Sequence, residues 1–147
     1  MTRRVALVTG GARGIGRAIA EDLARDHDLA VTWLSTDPQD ALPQALWLRA
    51  DLAKPGAAAD IVRQVLDRYG RLDVIVNNAG QVSASPLDGV DLDALQTLLA
   101  VNLLAPHALL AAALPHLEPG AAVVSVSSVN ATLPPKGAAL YGASKAG

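Results

Sequence analysis

Short apolar runs alternate along the chain with longer segments in which apolar residues recur at helical spacing. The runs are largely apolar throughout, instead of alternating with polar positions, which is typical of strands in a parallel sheet covered on both faces. We therefore predict five buried β-strands, at residues 5–9, 29–34, 45–50, 72–76 and 121–126.

Three of the segments between the runs have the periodicity of an amphipathic helix. In the second, Pro55 is expected to open the helix and Gly70 to stop it. The predicted apolar faces are Ile15, Ile19 and Leu23; Ile61, Val62, Val65, Leu66 and Tyr69; and Leu92, Leu95, Leu99 and Leu103.

The alternation of strand and helix predicts an α/β fold with a doubly wound parallel sheet, because parallel strands need right-handed crossovers. We expect the Rossmann-type strand order 3-2-1-4-5, with the loop after the first strand at the point where the order reverses. The 147 residues correspond to one domain. Residues 35–43 are rich in turn-forming residues, but their composition does not indicate a linker between domains.

One stretch, residues 98–114, is apolar except for Asn102, Pro106 and His107. A membrane-spanning helix needs about 20 apolar residues with few polar ones. We expect instead a helix that is buried on most sides, in the core or at a subunit contact. The expected location is the cytoplasm.

Composition excludes several functions. The chain has 12 basic and 14 acidic residues and no long basic run, so a nucleic-acid partner is not expected. It has no cysteine, and its three histidines lack metal-ligand spacing, so no metal site is predicted.

The segment "VTGGARGIG" follows the first predicted strand and opens the first predicted helix. Its glycines allow a tight turn and close approach of a ligand. A helix start offers free N–H groups to a phosphate. A glycine-rich turn without a ligand is the alternative, but the strand-then-helix context favours dinucleotide binding, with Gly10, Arg13, Gly14, Ile15 and Gly16 as the contacting residues.

Five further motifs stand in order along the chain. They are the pair Asp51-Leu52, "NNAG" with Asn78, Ala79 and Gly80, Asn102 in "VNLLAP", "SS" ending at Ser128, and "YGASK" from Tyr141 to Lys145. Together with the glycine loop, this set resembles the short-chain dehydrogenase/reductase family. The resemblance implies an NAD(P)-dependent oxidoreductase that transfers a hydride between nicotinamide and a carbonyl or alcohol, for example a 3-oxoacyl group.

The spacing of Tyr141 and Lys145 has a chemical meaning. Residues four apart share a helix face, so the lysine cation can stabilise the phenolate of a tyrosine that acts as acid or base. The resemblance implies that Lys145 also holds the nicotinamide ribose, that Ser128 binds the substrate oxygen, and that Asn102 holds a water linking Lys145 to solvent. Three of these residues have a structural alternative. Tyr141 could be an ordinary surface residue, Ser128 a turn residue, and Asn102 a residue that forms a structural hydrogen bond in its helix.

The choice of cofactor depends on charge after the second strand. An acidic residue there would hold a ribose 2′-OH and repel a 2′-phosphate. This chain has Ser35 at that point and Asp37 only later, while Arg13 directly precedes Gly14, where the family resemblance implies that a basic residue favours the 2′-phosphate. We favour NADP and keep NAD as the alternative, because Asp37 could still reach a ribose.

The chain is shorter than the family pattern. Related enzymes continue through the helix begun at Tyr141, two more strands and a substrate-binding segment, so residues 1–147 are interpreted as an incomplete dinucleotide-binding domain, inactive alone. A non-catalytic dinucleotide-binding module and an inert truncated remnant are the alternative functions. The complete parent is expected to be a homodimer or homotetramer that acts on a small molecule.

Overall fold

The computed structural model describes residues 3–38 and 42–147, so residues 39–41 of the predicted turn-rich segment lie outside the described part. All strand pairings between neighbours are parallel, in the order β3-β2-β1-β4-β5, which confirms the predicted doubly wound sheet. The strands are β1 (Arg4–Val8), β2 (His27–Trp33), β3 (Leu46–Arg49), β4 (Val74–Asn77) and β5 (Ala122–Ser125).

The central strand β1 sets the geometry of the site. Val8, its last residue, is in register with Val31 of β2 on one side and Val76 of β4 on the other. After β1 the chain continues to β2 on one side of β1 and later to β4 on the other side. A crevice therefore opens beyond the carboxyl ends of these strands.

Helices cover both faces of this sheet. They are α1 (Gly14–Leu23), α2 (Ala57–Tyr69), α3 (Leu92–Leu99), α4 (Ala105–Ala113) and α5 (Ala139–Ala146). Gly70 ends α2 in a left-handed conformation, as predicted. The prediction for Pro55 was wrong by two residues: Gly56 is the N-cap, and α2 begins at Ala57.

The predicted long helix before β5 contains an irregularity. Between α3 and α4 the backbone widens into a π-helical turn, Ala100–Leu104. Pro106 explains the position of this turn, because it has no N–H to donate to the carbonyl of Asn102, four residues earlier, and its ring crowds that carbonyl. The wide turn places Asn102, which is buried, on the side facing the sheet ends.

Two apolar clusters form the core, one on each face of the sheet. The larger lies under α2 and α4 and contains Leu7, Ile61, Val65, Ile75 and Leu109, all nearly inaccessible to solvent. The smaller lies under α1 and includes Ala6, Val8, Ala20 and Val31. Phenylalanine is absent from the sequence, and both clusters are mainly aliphatic.

The helical segment from Leu92 to His116 is long and apolar enough, by length and composition alone, to cross a membrane. Leu98, Ala105, Leu109 and Ala113 are buried against the rest of the chain. The expectation that this helix is buried on most sides does not hold within one chain, because 28% of its most apolar window is buried. The exposed face carries Leu92, Leu104, Leu110 and Leu114.

The edge strand β5 is open. All four of its residues are exposed, including Val123 and Val124, so neither of its faces is covered by a described element. An exposed apolar edge strand is a surface on which other strands can pair.

At the opposite end from the crevice, Asp73 is buried just before β4. Its carboxylate accepts hydrogen bonds from the guanidinium of Arg71, at 2.7 and 2.8 Å, and from the backbone N–H of Val5, at 2.8 Å. The Arg71 hydrogen bonds hold the pKa of Asp73 below its usual range, against the opposing effect of burial. The carboxylate therefore joins the starts of β1 and β4.

We predict that Asp73→Asn destabilises the fold by roughly 1.5–3 kcal/mol at pH 7, the cost of losing hydrogen bonds to a charged group. Because the pKa of Asp73 is lowered on folding, its contribution is present above the unfolded value near ~4 and is lost as the pH falls through the folded value. Urea unfolding of both proteins between pH 3 and 7 measures this. The difference between them should shrink at low pH; a constant difference would contradict the ionic role. Asp67→Asn, at an exposed site on α2, is the control.

Candidate active site

A cleft of about 850 Å³ lies beyond the carboxyl ends of the strands. Its lining comes from the loop after β1, the ends of β2 and β3, the loop after β4 and the π-helical turn. The residues are Gly10, Ala12, Arg13, Gly14, Ile15, Gly16, Thr32, Trp33, Leu34, Ser35, Thr36, Ala50, Asp51, Leu52, Asn78, Ala79, Gly80, Gln81, Val82 and Val101.

The hydroxyl of Thr9 ties together the two loops that flank the cleft. It accepts hydrogen bonds from the backbone N–H groups of Asn78, at 3.1 Å, and Ala79, at 3.0 Å. In return the side-chain amide of Asn78 donates to the carbonyls of Thr9 and Gly10, at 3.0 and 3.1 Å. The loop after β1 and the loop after β4 are thereby held as one unit.

Thr32 anchors the other side of the glycine loop. Its hydroxyl accepts from the N–H of Gly10 at 3.1 Å, and its carbonyl accepts from the N–H of Gly11 at 3.0 Å. Neither Thr9 nor Thr32 was predicted as a site residue. Thr9 was recognisable as the residue before the first glycine of the motif, whereas the contact of Thr32 spans 22 residues and has no local signal.

Two positions show why the loop requires glycine. A Cβ on Gly16 would collide with the Asn78 side-chain amide and the Gly10 carbonyl, so the loops approach too closely for any side chain. Gly14 has φ +58, and a Cβ there would meet nothing within 4 Å. Gly14 therefore presents bare backbone to the open cleft.

The start of α1 is suited to an anion. Arg13 is the N-cap, no side chain caps the helix, and its first turn contains no acidic residue. The first N–H groups of a helix have no intrahelical partner, and the helix dipole favours negative charge there. These free donors border the cleft, and they match the diphosphate of a dinucleotide.

Asp51 and Leu52 line the far end of the cleft, beyond β3. One oxygen of the Asp51 carboxylate accepts from the N–H of Ala53 at 3.0 Å, which fixes the turn. Ser35 and Thr36 line the same end and are exposed. The groups predicted to meet the adenosine part of a cofactor are thus brought together.

Lys145, on α5, lies next to Gly80, which lines the cleft. Its ammonium group donates to the carbonyl of Val126 at 3.0 Å and lies 3.3 Å from where a Cβ on Gly80 would stand. Burial lowers the pKa of Lys145, because the half-buried ammonium loses hydration. The backbone of α5 is also held here, since Ser127 Oγ donates to the Lys145 carbonyl at 2.8 Å.

Tyr141 is half-buried, and its phenol oxygen has no hydrogen-bond partner among the described residues. The helix start beside it is fixed by the loop after β4: buried Ser85 donates its N–H to the Gly137 carbonyl at 2.8 Å, and its hydroxyl accepts from Leu140 N–H at 3.2 Å. Ser85 thus acts as a cap from a distant segment. The sequence held no sign of this contact.

Ser128 caps the short 3-10 turn Val129–Ala131. Its hydroxyl accepts from the N–H of Asn130 at 3.2 Å. A hydroxyl that accepts this bond retains its own hydrogen for donation. The meeting of Ser128 with Tyr141 around a substrate stays a prediction.

Asn102 bridges three segments. Its Oδ1 accepts from the N–H of Gln81 at 2.7 Å, and its amide nitrogen donates to the Gln81 carbonyl at 2.8 Å and to Ser144 Oγ at 3.0 Å. Ser144, also buried, donates onward to the Tyr141 carbonyl at 2.7 Å. Both amide hydrogens are used on protein partners, so the predicted water contact of Asn102 stays a prediction.

A smaller cavity of about 110 Å³ is lined in part by Asn77, Asn102, His107, Ser127 and Lys145. The Oδ1 of Asn77, a buried residue, has no hydrogen-bond partner among the described residues. A cavity of this size can hold water, which such an acceptor requires. No group of histidine and acidic side chains in the described ranges could hold a metal ion.

The comparisons with known proteins agree with this geometry. The model of the short chain dehydrogenase family matches residues 4–147. The chain is 35% identical to a granaticin polyketide synthase putative ketoacyl reductase 2 from Streptomyces violaceoruber, over 97% of this chain and 62% of that protein.

Solved structures show the same likeness. A short chain dehydrogenase from Burkholderia cenocepacia in complex with NADP is 40% identical, with a TM-score of 0.91 over 99% of this chain and 63% of that one. A blue fluorescent protein from a metagenomic library, in complex with NADPH, is 34% identical with a TM-score of 0.91. The chain belongs to the short chain dehydrogenase family, and it spans less than two thirds of the length of these relatives.

We predict that Gly16→Ala distorts the loop after β1 and displaces Asn78 of the loop after β4, because the new methyl group collides with the Gly10 carbonyl and the Asn78 side-chain amide. The expected cost is about 1–3 kcal/mol of stability, as for overpacking a filled site. Urea unfolding measures the cost. Gly89→Ala is the control: it has φ +75 and open space around it, so it carries backbone strain without a collision. Gly16 has no positive φ, so its loss reports the collision alone, and a Gly16→Ala variant as stable as the wild type would contradict the predicted collision.

Proposed function

We propose that this chain forms the cofactor-binding and proton-transfer part of an NAD(P)(H)-dependent oxidoreductase that interconverts a carbonyl compound and an alcohol. The observation that carries the proposal is a cleft lined by an uncapped helix start and by Gly80, with the Lys145 ammonium next to Gly80. A dinucleotide needs both: donors for its phosphates, and a positioned polar group at its reactive ring.

When bound, the nicotinamide cofactor supplies the hydride. The chain supplies the contacts that hold it. The free N–H groups at the start of α1 bind phosphate, Asp51 and Leu52 contact the adenosine part, and the loop of Asn78, Ala79 and Gly80 borders the remaining length.

Tyr141 is the proposed acid and base. In the reduction it gives its phenol proton to the substrate oxygen, and in the oxidation it removes that proton. Lys145 stabilises the phenolate from the same helix face and holds a cofactor hydroxyl, and Ser128 donates to the substrate oxygen. The half-buried Lys145 ammonium is destabilised by lost hydration, and an anionic neighbour would offset that cost.

Asn102 has a positioning role in this scheme. Through Ser144 it holds the α5 backbone at Tyr141, and through Gln81 it holds the loop beside the cleft. We also propose that its Oδ1 retains a lone pair for a water that returns protons to Lys145.

For the cofactor we propose NADP rather than NAD. Arg13 borders the cleft and is exposed, and the loop after β2 offers Ser35 and Thr36 before any acidic residue. The Burkholderia and metagenomic structures contain NADP and NADPH. A 3-oxoacyl compound is the proposed substrate class, which the name of the Streptomyces relative supports.

We further propose that the complete protein is cytoplasmic and associates as a homodimer or homotetramer. The exposed leucines along the helical segment from Leu92 to His116 provide an apolar surface for a second copy. The alternative to the proposed oxidoreductase is a non-catalytic dinucleotide-binding module. Such a module would require the cleft but not the Tyr141 hydroxyl.

In the complete gene product that carries this sequence, we expect Tyr141→Phe to reduce carbonyl turnover at least about 100-fold, the lower range for general acid catalysis. NADPH binding should change less than about twofold by fluorescence titration, because the phenol oxygen has no partner in the fold.

The other tyrosine provides a matched control. Tyr69 donates its hydroxyl to the Leu29 carbonyl at 2.8 Å, far from the cleft. Tyr69→Phe should leave turnover unchanged while lowering stability by about 1 kcal/mol. Turnover retained in Tyr141→Phe would support the non-catalytic alternative.

Arg13→Ala should weaken NADPH binding about tenfold and NADH binding much less, since a cation is removed from the cleft. Isothermal titration with each dinucleotide measures this. Arg25, an exposed residue that pairs with Asp22, provides the control substitution Arg25→Ala. Equal losses for both dinucleotides would remove the proposed preference.

A further inference from the structure

We infer that Arg49, the last residue of β3, is a second determinant of cofactor choice and recognises the 2′-phosphate of NADP together with Arg13. The inference rests on the proposed function. No arginine or lysine occurs in the chain between the end of β2 and residue 48, so a cation for this part of the cleft has to come from another element.

The sheet brings Arg49 to this place. Arg49 is in parallel register with Trp33, the last residue of β2, so their side chains project from the same face. The guanidinium lies over the Trp33 ring, 5.4 Å from its centroid. Its Nε donates to the carbonyl of Leu34 at 3.3 Å. Trp33 and Leu34 both line the cleft.

These two contacts fix the guanidinium without using up its donors. The Trp33 ring covers one face of the Arg49 guanidinium, and the Leu34 carbonyl accepts its Nε–H. Neither Nη atom donates to a described residue. A planar guanidinium with two parallel N–H groups matches a phosphate, and stacking on an aromatic ring reduces the entropy lost on binding. Arg49 is therefore a cation held in place at the rim of the cleft.

The neighbouring charges show why a second cation matters. The loop after Trp33 presents Ser35 and Thr36 to the cleft, and neither side chain carries a charge. Asp51 adds a negative charge at the same end of the cleft. Arg13 and Asp51 are the two charged residues in the described cleft lining, and Arg49 adds the second cation that a 2′-phosphate favours.

The test measures binding in the complete gene product, without turnover. Isothermal titration with NADPH and NADH is combined with two fragments, adenosine 2′,5′-bisphosphate and 5′-AMP, which differ by the 2′-phosphate alone. Arg49→Ala should weaken NADPH and the bisphosphate about tenfold or more, the loss of one charge-assisted hydrogen bond. NADH and 5′-AMP should change less than about twofold.

The chain offers a matched control. Arg68 lies over the ring of Tyr69, 5.0 Å from its centroid, at the end of α2, and Tyr69, unlike Trp33, does not line the cleft. Arg68→Ala removes an arginine stacked in the same way and should change no affinity. If Arg49→Ala fails to fold, Arg49→Lys keeps the charge without the planar fork and should still weaken NADPH binding more than NADH binding.

The outcomes separate the two proposals. A wild-type protein that binds neither dinucleotide overturns the proposed function and, with it, the role of Arg49. A wild-type protein that binds NADPH as tightly as its Arg49→Ala and Arg49→Lys variants overturns the role of Arg49 alone. Equal weakening of NADPH and NADH overturns it as well, because Arg49 would then support the cleft without reading the phosphate.

Discussion

The hydroxyl of Thr9 is the contact on which the site depends. It accepts hydrogen bonds from the backbone N–H groups of Asn78 and Ala79, about 70 residues further along the chain. The side-chain amide of Asn78 in turn donates two hydrogen bonds to carbonyls of the loop after β1. A parallel sheet brings strand ends together but does not by itself fix the loops beyond them. This reciprocal set of hydrogen bonds fixes the loops after β1 and β4 relative to each other, and so sets the width of the cleft between them.

The two ends of the sheet are built with opposite chemistry. At the amino ends, Asp73 is buried with its charge neutralised by Arg71 and by a backbone N–H, so that the charge stabilises the fold. At the carboxyl ends, the α1 donors and the phenol of Tyr141 have no protein partner among the described residues. Polar groups left free beside a cleft favour a ligand over internal packing.

The irregular helix connects the core to the site. Its regular parts pack Leu98 and Leu109 into the interior, while the π-helical turn between them turns Asn102 toward Gln81 and Ser144. Wide turns of this kind occur often at functional sites, because they redirect one side chain without ending the helix. Here Pro106, four residues after Asn102, removes the regular hydrogen bond to the Asn102 carbonyl and so favours the irregular turn.

The sequence by itself determined the strands, their parallel pairing and the glycine loop, because these follow from short-range patterns: apolar runs, helical periodicity, and glycines between a strand and a helix. It also predicted Tyr141 and Lys145 as the pair that carries chemistry, since residues four apart share a face of one helix, and both lie on α5. Only the tertiary structure decided how Asn102, Ser85 and Thr32 are used. Their partners lie between 21 and 55 residues away, and no local pattern encodes such a distance. The stacking of Arg49 on Trp33 depends likewise on the register of two strands, which forms only when the sheet is assembled.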